Sequence, residues 1–377
     1  MASPSTAAGP TIRNPRNPDA TPPLSILHLS FIPDSGSFSV VTTHGFMIFN
    51  TDPFVQTIRQ YFSKNYQGGV VGLVQKIIDT NDFAVVGGGV GPGLSRNKIA
   101  FWNDYLRQFT KEIDFRSEVK SVRVRRDRVV AVMMQKVFVY DHKKMQLLHE
   151  IETGPNPKGL CEVSLSGWMV LVCLGSDKGE VRVQHYGLRW CRLIKAHDSD
   201  VACVALSNNG RLLATASTED TLVRVFDTWD GRLLQELRDR AEIHNLRFSS
   251  NAEWLAISSN KGTIHVFSLN TGLTSMETDG SHEAEQNNCF LSCFSSFKDI
   301  LPKYVSSGWL VSQFRVPEDI KHIVAFGHEK NTVLIIGMNG RWGDDSNGMP
   351  QLPSAKTELL STLQLTQDID FAGNSGL

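Results

Sequence analysis

Long apolar runs are missing from this 377-residue chain. No stretch approaches the ~18 consecutive apolar residues of a membrane-crossing helix, so any bilayer contact is expected to be peripheral. Excess charge is missing too: 38 Lys+Arg face 39 Asp+Glu, a formal net charge of -1. That excludes a global attraction to nucleic acid or anionic lipid and leaves only local patches. Cysteine is sparse, with Cys161, Cys173, Cys191, Cys203, Cys289 and Cys293 in all. None forms a Cys-x-x-Cys pair or a Cys/His group at zinc spacing, so no metal site is expected. Cys173 and Cys203 lie in the runs VLVCL and VACVAL, where cysteine acts as a small hydrophobe, and reduced thiols in a cytosolic protein are the expectation. The N-terminal MASPSTAAGPTIRNPRNPDATPP lacks an apolar core and does not read as a signal peptide. No Ser/His/Asp set, Cys/His set or carboxylate pair at motif spacing occurs, so no catalytic residue and no enzymatic activity are expected. GGGVGPG (87–93) lacks the Gly-Lys-Ser/Thr ending of a phosphate loop and reads as an interstrand loop.

What is present is a repeat. VACVALSNNGRLLATASTEDTLVRVFDTWDGRLLQEL, from Val201, reads as four short strands separated by Asn-Asn-Gly, polar and Asp-Gly turns. IHNLRFSSNAEWLAISSNKGTIHVFSLNTG repeats that grammar. Third strands end at Phe226 and Phe267; comparable ones end at Phe49, Trp102, Tyr140 and Tyr186, and NTVLIIG ends near Gly337. Units of roughly 40–45 residues are the period of four-stranded propeller blades. The expectation is an all-β, seven-bladed WD-repeat-type β-propeller over 24–343, between disordered tails at 1–23 and 344–377.

Several strings go further. LHLSF (27–31), HGFMIFN (44–50), FRSEVKSVRVRRDRVV (115–130), NPKGLCEVS (156–164), AHDSDVACVALSNNGRLLATAS (196–217), SSNKGTIHVF (258–267), LPKYVSSGW (301–309) and FRVPEDIKHIVAF (314–326) resemble the PROPPIN (WIPI) family of autophagy-related phosphoinositide-binding propellers. The phrasing is closest to the plant branch. The resemblance implies two phosphoinositide pockets on the rim of blades five and six, no cofactor, and phosphatidylinositol 3-phosphate and the 3,5-bisphosphate as ligands. It also implies autophagy machinery proteins, and the phosphatidylinositol 3,5-bisphosphate regulatory complex, as partners.

The family's Arg-Arg-Gly signature is altered here to Leu237-Arg238-Asp239-Arg240-Ala241-Glu242-Ile243. Aligned on the downstream residues, three positions are deleted, and Arg238 alone keeps an arginine of the pair. Neighbouring residues of an extended segment point to opposite sides. Arg238 and Arg240 then share a side, and Asp239 faces the second pocket, where a carboxylate repels phosphate. Pocket one takes His197, Ser217, Thr221, Arg224 and Arg238, cations and hydroxyls suited to a phosphate. Ser217 and Thr221 also suit turn backbone groups, and His197 equally suits an interblade structural role. Pocket two takes Arg240, Ser259, Lys261, Thr263 and His265.

An insertion at 270–308 separates the third and fourth strands of blade six. In it Phe290, Leu291, Phe294, Phe297, Leu301 and Tyr304 recur at helical steps beside Lys298 and Lys303, a pattern for interfacial insertion or for packing on the propeller's side. Arg123, Arg125, Arg126 and Arg128 form a basic cluster read as a solvated strand and turn or as a protein-binding patch. After Gly340 the sequence turns polar, so closure is expected to borrow residues 24–32, and the LLSTLQL run either pairs weakly or hangs free. Two functions compete: a peripheral phosphoinositide effector of weakened affinity on preautophagosomal and vacuole or endosome membranes, and a protein-interaction scaffold that has lost lipid binding.

Overall fold

The computed structural model describes residues 25–33, 36–62, 71–89, 94–219, 221–239, 241–269, 309–316, 318, 321–327 and 332–337. It also gives the strand backbones at 343–344, 350–351 and 360–364. Six antiparallel sheets follow one another, each taking its four strands in sequence order. The first holds β1 (Ile26–Phe31), β2 (Ser37–Thr42), β3 (Gly45–Asn50) and β4 (Val55–Tyr61); the second β5 (Val71–Lys76), β6 (Asp82–Gly87), β7 (Lys98–Asn103) and β8 (Gln108–Asp114). The third holds β9 (Ser121–Val124), β10 (Arg128–Val132), β11 (Lys136–Asp141) and β12 (Leu147–Glu152). The fourth holds β13 (Cys161–Val163), β14 (Val170–Leu174), β15 (Glu180–His185) and β16 (Trp190–Lys195). The fifth is β17 (Val201–Leu206), β18 (Leu212–Ser217), β19 (Leu222–Asp227) and β20 (Leu233–Arg238). The sixth is β21 (Ile243–Phe248), β22 (Trp254–Ser259), β23 (Thr263–Ser268) and β24 (Trp309–Arg315).

The last sheet departs from the pattern. β25 (His322–Phe326) pairs with β26 (Thr332–Gly337), and β26 pairs with β29 (Leu360–Gln364). A small hairpin of β27 (Gly343–Asp344) and β28 (Pro350–Gln351) lies between them in sequence. Two expectations are corrected. NTVLIIG supplies the second strand of its sheet rather than the third, because HIVAF precedes it as β25. Residues 26–31 are not borrowed for closure: they pair with β2 inside the first sheet, and the last sheet draws β29 from the LLSTLQL run.

The second strands are buried along nearly their whole length, as in β2, β6, β18 and β22, so both of their faces are covered, and each sheet buries those faces against its neighbours. One cluster joins Val41, Phe46 and Ile48 of the first sheet to Val74, Phe83 and Val85 of the second. Another joins Ala214, Val223 and Val225 of the fifth to Leu246, Leu255 and Ile257 of the sixth. The circle closes where Leu29, Phe38, Val40 and Met47 pack on Leu334 and Ile336 of β26. Each such large side chain contributes about 1.5–3 kcal/mol on burial, so radial packing dominates the stability. The architecture is an all-β propeller.

The repeat also has a polar grammar. Ser164, Ser207 and Ser249 each end a first strand, and each hydroxyl accepts the backbone N–H that opens the second: Val170 at 3.0 Å, Leu212 at 2.9 Å and Trp254 at 3.0 Å. Gly210 completes one of these turns at φ +77, a left-handed conformation that suits glycine. Of the Gly-rich run at 87–93, Gly87 ends β6 and Gly88 and Gly89 follow it, while residues 90–93 lie outside the described residues. The thiols of Cys161, Cys173 and Cys203 are buried, and burial pushes the last two up to about 12; Cys191 is exposed.

The first strands of neighbouring sheets adjoin one another around the ring. There His28 of β1 has its pKa lowered to about 4 by burial and by the Arg123 guanidinium. An unfolded histidine titrates near 6.5, so the neutral ring stabilises the fold above that pH. The contribution is lost as pH falls from about 6.5 to about 4. His28→Phe is expected to flatten the acid limb of the stability curve by about 1–3 kcal/mol, read by urea titrations between those pH values.

Candidate functional site

The end of the fifth sheet where β18 runs out and β19 begins gathers most of the pocket-one residues. Leu222 pairs with Arg238, and Arg224 with Glu236, so alternate residues of β19 and β20 present their side chains on one face. Arg224 donates from Nε to Glu236 Oε2 at 3.0 Å and from Nη1 to the Ala196 carbonyl at 2.7 Å. Arg238 Nη2 reaches Glu236 Oε1 at 3.5 Å, and its side chain is 61% exposed. One carboxylate therefore bridges two guanidiniums, an array carrying net positive charge. Sequence reasoning missed Glu236, although its cross-strand position opposite Arg224, two residues before Arg238, marks it.

His197, next in the chain to Ala196, is buried on the β16–β17 connection, and its Nε2 lies 2.9 Å from Thr215 Oγ1. Ser217 is buried at the end of β18. Thr221 has φ +53 in the following turn, and its carbonyl accepts the Asp239 N–H at 3.0 Å. Arg224 and Arg238 thus form the charged part of the candidate site, while His197 and Ser217 lie beneath the surface.

Beyond the strand end, the chain alternates as the sequence suggests. Arg238 points to solvent and Asp239 turns inwards: its carboxylate is 4% exposed and lies 3.1 Å from His265 Nδ1 on β23. His265 is one of the pocket-two residues. Ser259 and Thr263 hold each other through their hydroxyls at 2.7 Å across the β22–β23 turn, and Lys261 is exposed on that turn. Arg240 lies outside the described residues. A phosphate placed at His265 would meet the Asp239 carboxylate, with a repulsion of about 3–4 kcal/mol per unit charge at 4–5 Å and an effective dielectric near 20.

The insertion lies between paired neighbours, since Ser268 of β23 opposes Trp309 of β24. Phe290, Leu291, Phe294, Phe297, Leu301 and Tyr304 lie outside the described residues. In the basic cluster, Arg123 is ion-paired with Glu162 at 3.0 Å, Arg125 donates to the Ser164 and Gly167 carbonyls, and Arg128 pairs with Asp127. Three of the four arginines thus engage the propeller itself, and Arg126 is exposed. Among the described residues no group of three or more His, Cys, Asp or Glu could hold a metal ion.

Comparison with known proteins places this geometry. The chain is 39% identical over 339 residues to Autophagy-related protein 18e of Arabidopsis thaliana, covering 88% of this chain and 85% of that protein. It is 31% identical over 329 residues to Autophagy-related protein 18 of Dictyostelium discoideum, covering 82% and 86%. The fold superposes on Kluyveromyces lactis Hsv2 with complete loop 6CD at a TM-score of 0.66 and 21% identity, over 91% of this chain and 98% of that one. A complex of KlAtg21 with the coiled-coil of AgAtg16 superposes at 0.65 and 23% identity, over 84% and 92%. The PROPPIN family model matches residues 25–309, so this chain, with its all-β propeller, belongs to the PROPPIN family.

Proposed function

We propose that the chain is a non-enzymatic phosphoinositide effector and scaffold of autophagosome formation. In this reading it binds phosphatidylinositol 3-phosphate, the 3,5-bisphosphate, or both, through one working pocket, with weakened affinity. The observation that carries it is the Arg224–Glu236–Arg238 array, whose exposed guanidinium stands at the mouth of the site. A bidentate guanidinium matches a phosphate in shape and charge, and Arg224 is pre-oriented by the Ala196 carbonyl. In the same reading the three-stranded sheet is the seventh blade of a WD-repeat-type ring. The protein then works from the cytosol as a peripheral component of preautophagosomal and vacuole or endosome membranes. Its partners are autophagy machinery proteins and the phosphatidylinositol 3,5-bisphosphate regulatory complex.

The second reading, a scaffold without lipid binding, is favoured by Asp239 seated against His265. Arg238→Ala decides between them. Loss of most binding to vesicles carrying phosphatidylinositol 3-phosphate, about tenfold or more for a charge-assisted contact, is the expected result of a co-sedimentation assay. Equal sedimentation of the two proteins would leave the scaffold reading.

A further inference from the structure

Within each of the six four-stranded sheets, the turns that join first to second strand and third to fourth strand emerge at the same end, because the strands are antiparallel and taken in order. At that end of the fourth and fifth sheets the tryptophans are unusually open. Trp168, on the β13–β14 turn, is 73% exposed and Trp229, on the β19–β20 turn, is 50% exposed. Trp168 lies directly on Gly187 of the β15–β16 turn, where a side chain of any size would collide with its ring. His185 bridges the rest, 5.4 Å between ring centres to Trp190 and 6.0 Å to Trp229. Arginines interleave: Arg192 stacks on Trp190 at 5.5 Å and Arg211 on Trp229 at 5.2 Å.

Outer strands of most sheets expose an aliphatic side chain, such as Val55, Leu147, Leu193, Leu233 and Leu310, so aliphatic exposure alone distinguishes nothing. The aromatic and charged composition does. Arg189, Arg192, Arg211 and Arg232 are set against Asp227, which is buried on Arg211, and Asp230, in a chain whose overall charge is negative. A tryptophan keeps its ring in an apolar layer while its N–H stays wet, and an arginine extends its stem through the same depth to reach anionic headgroups. The β23–β24 connection, which carries the 270–308 insertion, leaves the sixth sheet at this same end. Along β20 the six residues from Leu233 to Arg238 span about 17–20 Å. A flat surface laid on this outer edge therefore meets the tryptophan band at one end and Arg238 at the other.

We infer that the Trp168–Trp190–Trp229 band, with Arg192 and Arg211, is an interfacial contact for an anionic lipid bilayer, separate from any headgroup pocket. The inference rests on reading the propeller as a membrane effector, but it assigns that role to different residues. The test uses the full chain with vesicles of phosphatidylcholine and phosphatidylserine, with and without phosphatidylinositol 3-phosphate, and soluble inositol 1,3-bisphosphate as a headgroup probe. Trp168→Gln with Trp229→Gln should lower partitioning onto both vesicle types about tenfold and leave binding of the soluble headgroup unchanged. Leu233→Ser with Arg232→Gln, which spares the ring cluster, should give a smaller loss in the same direction. In the unsubstituted protein, brominated lipids should quench tryptophan emission, and the Trp168/Trp229 variant should lose most of that quenching.

Unchanged partitioning and quenching in a variant with unaltered thermal melting would overturn the inference. So would a dimer in the unsubstituted protein that the tryptophan changes dissociate, since the band would then be a contact between copies. Failure of the headgroup reading looks different: soluble inositol 1,3-bisphosphate binds to no variant, while the tryptophan variants still lose phosphatidylserine vesicles.

Discussion

Inserting Arg-Gly-Ala between Arg238 and Asp239 should tighten binding to vesicles containing phosphatidylinositol 3-phosphate by about 10²-fold. The reason is effective concentration: once one pocket holds a lipid, a second pocket on the same surface binds its ligand intramolecularly. The insertion supplies a second guanidinium on the side where Asp239 now sits and moves that carboxylate three positions along the chain. Asp239→Asn isolates one half of the effect. It keeps a hydrogen-bonding partner for His265 Nδ1 but removes the charge that a phosphate would meet, and about a tenfold gain is expected. Flotation of both variants beside the unsubstituted protein separates the contributions. A gain from Asp239→Asn without a larger one from the insertion would mean that repulsion, not the missing arginine, limits the second pocket. No gain from either would place the defect elsewhere, at Ser259, Lys261 or Thr263.

The second large effect concerns Gly179. It has φ +70, and a side chain there would run into the carbonyls of His197 and Ser199. Its own carbonyl accepts the N–H groups of Ala196 and His197 at 2.9 and 3.0 Å, so this turn fixes the segment from which Arg224 takes its carbonyl partner. Gly179→Ala combines left-handed strain of about 1–2 kcal/mol with a backbone collision, and a loss of about 3 kcal/mol is expected in denaturant unfolding. Headgroup binding should fall as well, because moving Ala196 releases Arg224. A variant that unfolds like the unsubstituted protein would show that the β15–β17 region yields at little cost.

Much of the propeller is legible without coordinates because its signals are local. In 201–238 the strands alternate, and Asn209-Gly210 and Asp230-Gly231 mark turns that the backbone adopts with both glycines at positive φ. The last sheet was harder for a physical reason. β29 is separated from its partner β26 by 22 residues of polar, turn-forming chain, and LLSTLQL has too little alternation to announce a strand. The string Leu237-Arg238-Asp239 is plain in the sequence, and the side to which Asp239 turns follows from strand alternation. Its pairing with His265 was not legible, because the two residues stand 26 apart on different sheets and meet only through blade packing. Glu236 was overlooked for the opposite reason: an acidic residue on an outer strand looks like ordinary surface until the register sets it between two arginines.

For a phosphate bound at Arg224 and Arg238 as proposed, that glutamate sets the kinetics. With Glu236 already bridging Arg224 and Arg238, an approaching phosphate senses little more than one net charge from a distance, and salt screens even that beyond about 8–10 Å. Arrival is then barely steered, and the bound lifetime, set by how fully the phosphate displaces the carboxylate, governs affinity. Glu236→Gln would speed capture by freeing both guanidiniums, yet would remove the internal competitor that expels loosely fitting anions.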